Sequence, residues 1–188
     1  MLVVGCIHGN ETAGVAVTRA LAAAAPMQEV DLWLVDNLNP DGAAGGTRGN
    51  AHGVDLNRNF PFRWRRLGPV GSLHYAGPHA LSEPESRLAT ALLRQVRPTL
   101  GIWYHQALGV VDDSEGPLLL EKRYAEDTGL PLRSLTDYPG SAVGYEDNAF
   151  GPTAFVVELP AGSLSRKQRA RHAGAVLDLA RRSSADGV

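Results

Sequence analysis

The chain of 188 residues carries one cysteine, Cys6. No intrachain disulfide can form, and the redox state of its compartment stays open. No apolar run approaches the roughly 20 residues that cross a bilayer. The formal net charge is only -2, which gives no electrostatic case for nucleic acid or an anionic membrane as partner. Internal repeats and low-complexity tracts are absent. So is a charged segment followed by an apolar stretch and a cleavage site, so the chain as written is expected in the cytoplasm. Met1 nevertheless opens directly onto an apolar run. The expectation is that Met1 is an internal start of a longer gene. An upstream start with a signal peptide would place the protein outside the cytoplasm. Oligomeric state is not readable.

What is present is enough apolar residue for one domain, residues 1–188, with a substantial core. Residues 2–7 read as a buried strand ending at His8. Glu11 to Ala25 reads as an alanine-rich helix ended by Pro26. Val30 to Val35 alternates and reads as a second strand. Asn37 to Ala80 is long, irregular and rich in Gly, Pro, Asn and Arg. A compact domain seldom keeps such a segment without using it. Ser82 is expected to cap a helix running to Val96. Leu100–Tyr104 reads as a strand ending at His105, 119–128 as a helix closed by Gly129, and Asp137–Gly151 as a loop. Thr153–Val157 reads as a strand ending at Glu158. Ser163 or Ser165 should cap a last amphipathic helix whose apolar positions include Ala170, Ala173, Val176, Leu177 and Leu179. Alternating strands and helices give a three-layer α/β/α fold with a mixed, mostly parallel sheet. Cys6, Trp33 and Trp103 read as core residues, and His52, His74, His79 and His172 carry no assigned role.

Three strand ends carry chemistry: His8 with Glu11, His105, and Glu158. Side chains at the C-terminal mouth of an open α/β sheet face the crevice where ligands bind. Two imidazoles and a carboxylate are the donor set of a His2Glu catalytic zinc. The arginines and amides of Thr47–Pro61 read as fixed donors for an anionic group.

The segments HGNETAG (8–14), NLNPDG (37–42), TRGNAHGVDLNRNFP (47–61), WYHQ (103–106) and FVVELP (155–160) resemble, in order and spacing, those of the zinc carboxypeptidases. Residues 73–87 and Trp103 to Asp112 are most similar to the bacterial murein peptide amidase branch. Its members cleave the bond between γ-D-glutamate and diaminopimelate in cell-wall peptides. The resemblance implies one zinc ion on His8, Glu11 and His105. It implies Arg48 as the group that polarises the scissile carbonyl, and Asn57 and Arg58 as the clamp on a free substrate carboxylate. Glu158 becomes the general base. A mobile tyrosine corresponds to Tyr138 or Tyr145, with spacing favouring Tyr138. The position that lines the specificity pocket in digestive members holds Ala142, which leaves specificity unread. The leading pair of strands usual in the family is missing from the sequence, so the sheet should expose an edge. Two rival functions remain. One is an N-acyl amino acid deacylase of the aspartoacylase or succinylglutamate desuccinylase type, which Asn39–Gly42 and Tyr104-His105-Gln106 argue against. The other is a non-catalytic peptide-binding relative, which the complete set of ligands and base argues against.

Overall fold

The computed structural model describes residues 1–185 apart from 28–29, 114–115, 137 and 152–153. Asp137 and Thr153, the expected starts of a loop and a strand, thus lie outside the described residues. In chain order the elements are β1 (Leu2–Val4), α1 (Ala13–Ala22), β2 (Trp33–Val35), α2 (Pro40–Gly45), a 3-10 turn (Leu56–Arg58), α3 (Pro84–Val96), β3 (Gly101–Asp112), α4 (Leu118–Thr128), β4 (Leu132–Arg133), α5 (Ala142–Phe150), β5 (Ala154–Pro160) and α6 (Arg166–Ala185).

Strand alternation sorts side chains into two cores. Val3, Ile102, Tyr104, Phe155 and Val157 pack with α1, α4 and α6 on one face. Leu2, Val4, Trp103 and Ala154 pack with α3, α5 and Phe60 on the other. The mostly parallel sheet flanked by helices matches the fold expected. α6 begins with a reciprocal cap: Gln168 N–H donates to Ser165 Oγ, and Ser165 N–H donates to Gln168 Oε1. Ser165 rather than Ser163 is therefore the cap.

Several expectations change. α1 starts at Ala13 and stops at Ala22, short of Pro26, and β2 is only Trp33–Val35. Trp33 is 43% exposed on this short strand, not a core aromatic; β2 has β1 as its partner. Ser82 does not cap α3, because Glu83 holds that position and the Ser82 hydroxyl is engaged with Asn59 and Glu83. Ala170 lies exposed; Ala175 and Ala180 join the buried face of α6 instead. The expected loop after Asp137 contains α5, capped by the Ser141 hydroxyl, which accepts from Gly144 N–H.

The largest departure is β3. It does not stop at His105 but runs to Asp112. Its register on β5 advances from Gly101↔Ala154 to Ala107↔Pro160, then retreats through Val110↔Glu158 to Val111↔Val157. Val157 thus partners both Tyr104 and Val111, which requires β3 to fold over the end of β5 and flank it on both sides. The return leg lines the crevice at the strand ends.

Glu146 on α5 is fully buried, and Trp103 Nε1–H donates to it at 2.8 Å. Burial, with Asp147 adding to it, pushes its pKa up to about 8. A carboxyl whose folded pKa is raised contributes full stability below its unfolded pKa and loses it as pH rises through the folded value. Stability should therefore decline from about pH 4.5 towards pH 8. Glu146→Gln keeps an acceptor for Trp103 and removes that proton equilibrium. Urea unfolding at pH 5 and pH 8 should show the substituted protein losing less, by on the order of 3 kcal/mol. Equal losses in both proteins would mean Glu146 does not titrate in this window.

Candidate active site

The strand end after β1 places His8 and Glu11 at the head of α1, and both are buried. Close packing of two glycines fixes that loop. A Cβ on Gly9 would fall 1.9 Å from Gly42 C in α2, so α2 can lie against the His8 turn only because Gly9 lacks one. Asn39 explains the Asn-Pro-Asp-Gly segment. Its Oδ1 caps α2 at Gly42 N–H, while its Nδ2 donates to the carbonyls of Ile7 and Arg48. One buried amide thus ties the end of β1 to the Arg48 loop.

His8, Glu11 and His105 converge. His8 Nδ1 lies 3.0 Å from Glu11 Oε2, His105 Nδ1 lies 3.1 Å from the same oxygen, and the two Nδ1 atoms are 3.1 Å apart. Tetrahedral zinc with bonds of about 2.0–2.1 Å sets its donors about 3.3 Å apart. Among the described residues, this is the cluster of metal-binding side chains that is tight enough for one ion. The donor chemistry and spacing fit zinc.

Asp55 organises the cluster, although its place in the sequence suggests no such role. It is fully buried. It faces His8 Nε2 at 3.0 Å and His74 Nδ1 at 3.3 Å, and accepts from Arg48 Nε at 2.9 Å and from Asn57 N–H at 3.0 Å. Burial works to raise its pKa, but the His8 hydrogen bond and the charges around it hold the carboxyl well below the usual range. Burial likewise opposes ionisation of Glu11, yet hydrogen bonds from His105 and His8 hold it low. His8 is pulled down by burial and raised on balance by Asp55 and Glu11; burial prevails at His105 and lowers it. A carboxylate on the far nitrogen of a liganding histidine fixes its tautomer and raises its basicity. Asp55→Asn should therefore weaken zinc binding about 10- to 100-fold, read by competition against a chromogenic chelator. Unchanged affinity would show that Asp55 only packs.

The remaining residues line one cavity of about 330 Å³ that also holds the cluster. Arg48 spends Nη1 on Glu11 Oε1 at 3.0 Å and Nε on Asp55. Asn57 Oδ1 accepts from Ala142 N–H at 2.8 Å, which turns its amide hydrogens towards the cavity. Arg58 is 4% exposed, its guanidinium lies 4.1 Å from the Tyr138 ring centroid, and its buried Nε has no hydrogen-bond partner among the described residues. Burial lowers its pKa. A Cβ on Gly140 would meet Arg58 O at 2.1 Å, and its φ of +78 is itself a glycine conformation. That close approach brings the start of α5 onto the arginine. Glu158 joins the cavity from β5, with Leu108 N–H donating to it at 3.4 Å. Burial and the Glu11 charge raise its pKa.

Of the two candidate tyrosines, Tyr138 lines the cavity, whereas Tyr145 is buried in the second core with its hydroxyl on Arg94. Ala142 is buried in that core as well; its neighbours Ser141, Val143 and Gly144 form the cavity wall. His74, unassigned from sequence, lines the cavity.

Residues 1–111 match the zinc carboxypeptidase family model. The chain belongs to the zinc carboxypeptidase family. It is 31% identical over 172 residues to murein peptide amidase A of Vibrio campbellii, covering 85% of this chain and 68% of that protein. Murein peptide amidase A of Escherichia coli K12 is 31% identical over 157 residues, covering 74% of this chain and 63% of that protein. The chain thus spans about two thirds of the length of these relatives. The crystal structure of a murein-tripeptide amidase from Escherichia coli O157 superposes with a TM-score of 0.76 at 24% identity, over 96% of this chain and 79% of the other. The family and these relatives make the protein a zinc metallopeptidase.

Proposed function

We propose that this protein hydrolyses an amide bond in cell-wall peptides, the bond between γ-D-glutamate and diaminopimelate, using one zinc ion on His8, Glu11 and His105. The observation that carries this proposal is the one cavity in which the His8–Glu11–His105 cluster, Glu158 and Arg58 meet. When bound, zinc supplies Lewis acidity and brings the pKa of water towards neutrality. Glu158 accepts the proton of the attacking water and returns it to the leaving amine. Arg48 is the donor for charge that develops on the carbonyl oxygen. Asn57 and Arg58 hold a free carboxylate on the leaving side, with Tyr138 closing over Arg58. The curated relatives named for murein peptides support the substrate class.

A substrate panel tests this. Zinc-loaded protein should release diaminopimelate from γ-D-glutamyl-diaminopimelate peptides, lose that activity to a chelator and regain it with zinc. Hydrolysis of N-acetyl-aspartate or N-succinyl-glutamate in preference would make it a deacylase. Peptide binding with no turnover by zinc-loaded protein would make it a non-catalytic binder.

A further inference from the structure

The cavity continues past the zinc cluster, and the fold-back of β3 places an acid in its wall. Val110 sits opposite Glu158 and Val111 opposite Val157. Continuing the register, Asp112 falls beside Val156, two residues and about 7 Å down the strand from Glu158. Val111 points into the α1–α4–α6 core, so Asp112 points to the opposite face, and it lines the cavity together with Leu135, Thr136, Val143 and Val156. Leu135 N–H donates to its Oδ1 at 2.9 Å, which fixes the carboxylate. Arg58 and Asn57 line the same cavity, so it carries a cation for a carboxylate, apolar walls, and an anion beyond them.

We infer that Asp112 is a specificity-determining residue that binds a side-chain ammonium on the leaving residue of the substrate. This deepens the proposed function and rests on it. The ligand class is an amino acid bearing a free carboxylate and a second amine on a stem of three or four carbons, as in diaminopimelate or lysine. The stem would pack on Leu135, Val143 and Val156, as long cationic side chains do on apolar surface, while the ammonium meets Asp112 in a charge-assisted hydrogen bond. Ala142 carries only a methyl, which lies in the core and takes no part in this site.

Two measurements on full-length, zinc-loaded protein test this. The first compares kcat/KM for peptides whose leaving residue is diaminopimelate, lysine or norleucine, the last matching lysine in shape without the charge. The second measures binding of free lysine and norleucine by calorimetry, which needs no turnover. Asp112→Asn keeps the acceptor for Leu135 N–H, and circular dichroism and zinc content of the variant check that the fold holds. The wild type should favour lysine over norleucine by roughly 10- to 100-fold in both measurements. Asp112→Asn should abolish that ratio and leave the norleucine values near wild type. A merely structural role would lower both substrates alike and overturn the inference. Turnover without a charge preference would overturn it while the proposed function stands. Charge-selective binding lost in Asp112→Asn, with no turnover on any peptide, would uphold the ammonium site and remove the amidase function. Absence of both would remove both.

Discussion

Glu158→Gln is expected to lower kcat by about 10²- to 10⁴-fold, the range that a positioned general base contributes, while leaving zinc content and substrate affinity near wild type. Gln is close in size and keeps an oxygen that can accept the Leu108 N–H, so β5 and the return leg of β3 should be undisturbed. What disappears is the proton acceptor. The environment suits proton transfer, because Glu158 is partly buried, and burial together with Glu11 raises its pKa above the ordinary carboxylate value. A more basic carboxylate accepts a proton from water more readily. The loss should fall on kcat with KM little changed, because the interaction is realised only as the proton moves. Single-turnover measurement would separate chemistry from product release. Turnover within a few-fold of wild type in zinc-replete Glu158→Gln would remove Glu158 from the base role.

The chemistry of the site was legible where it depends on strand ends. His8 and Glu11 stand at the close of an apolar run, where a ligand crevice is expected, and Glu158 follows another such run. Asp55 was not legible, although it opens the Asp-Leu-Asn-Arg motif. Its partners His8, Arg48 and His74 are reached only through loop folding, and a buried Asp within a Gly-, Asn- and Arg-rich segment reads as a turn residue. The return of β3 was hidden for a different reason. Gln106 and Gly109, whose φ is +65, interrupt the pattern after His105, and Val110-Val111 is too short an apolar run to read as a strand of its own. Asp112 and its place in the cavity follow from that reversal and were invisible with it. α5 was missed because glycines 140, 144 and 151 read as loop; Ser141 capping and packing of Tyr145 and Ala142 outweigh the poor local propensity. Trp33 misled because aromatic residues read as core, while a three-residue edge strand has little partner surface to cover one.

Amidation of the free carboxylate on the leaving residue should lower kcat/KM by about 10²-fold or more, and Arg58→Ala should do the same to the free-acid substrate. Arg58 is nearly buried and held by Tyr138 and by the Asn57 carbonyl, and among the described residues its Nε has no hydrogen-bond partner. A guanidinium in that setting forms a charge-assisted contact with a carboxylate. Removing either partner of a buried charge pair costs about 2–5 kcal/mol, much of it from stranding the other charge, and each 1.4 kcal/mol is about tenfold. Asn57 adds a second donor: Ala142 N–H occupies its carbonyl, and its Nδ2, which lies 3.5 Å from His105 Nε2, carries a further hydrogen for the substrate. The decisive observation is the double perturbation. If Arg58 and the carboxylate are one interaction, Arg58→Ala tested on the amidated substrate should be hardly worse than either change alone. Arg58→Lys separates charge from geometry: an ammonium keeps the charge but cannot offer the planar fork, so it should recover only part of the loss. Losses that simply multiply would show that Arg58 acts elsewhere. The free carboxylate, whose amidation would still cost activity, would then be read by another donor of the cavity, Asn57 or Arg48.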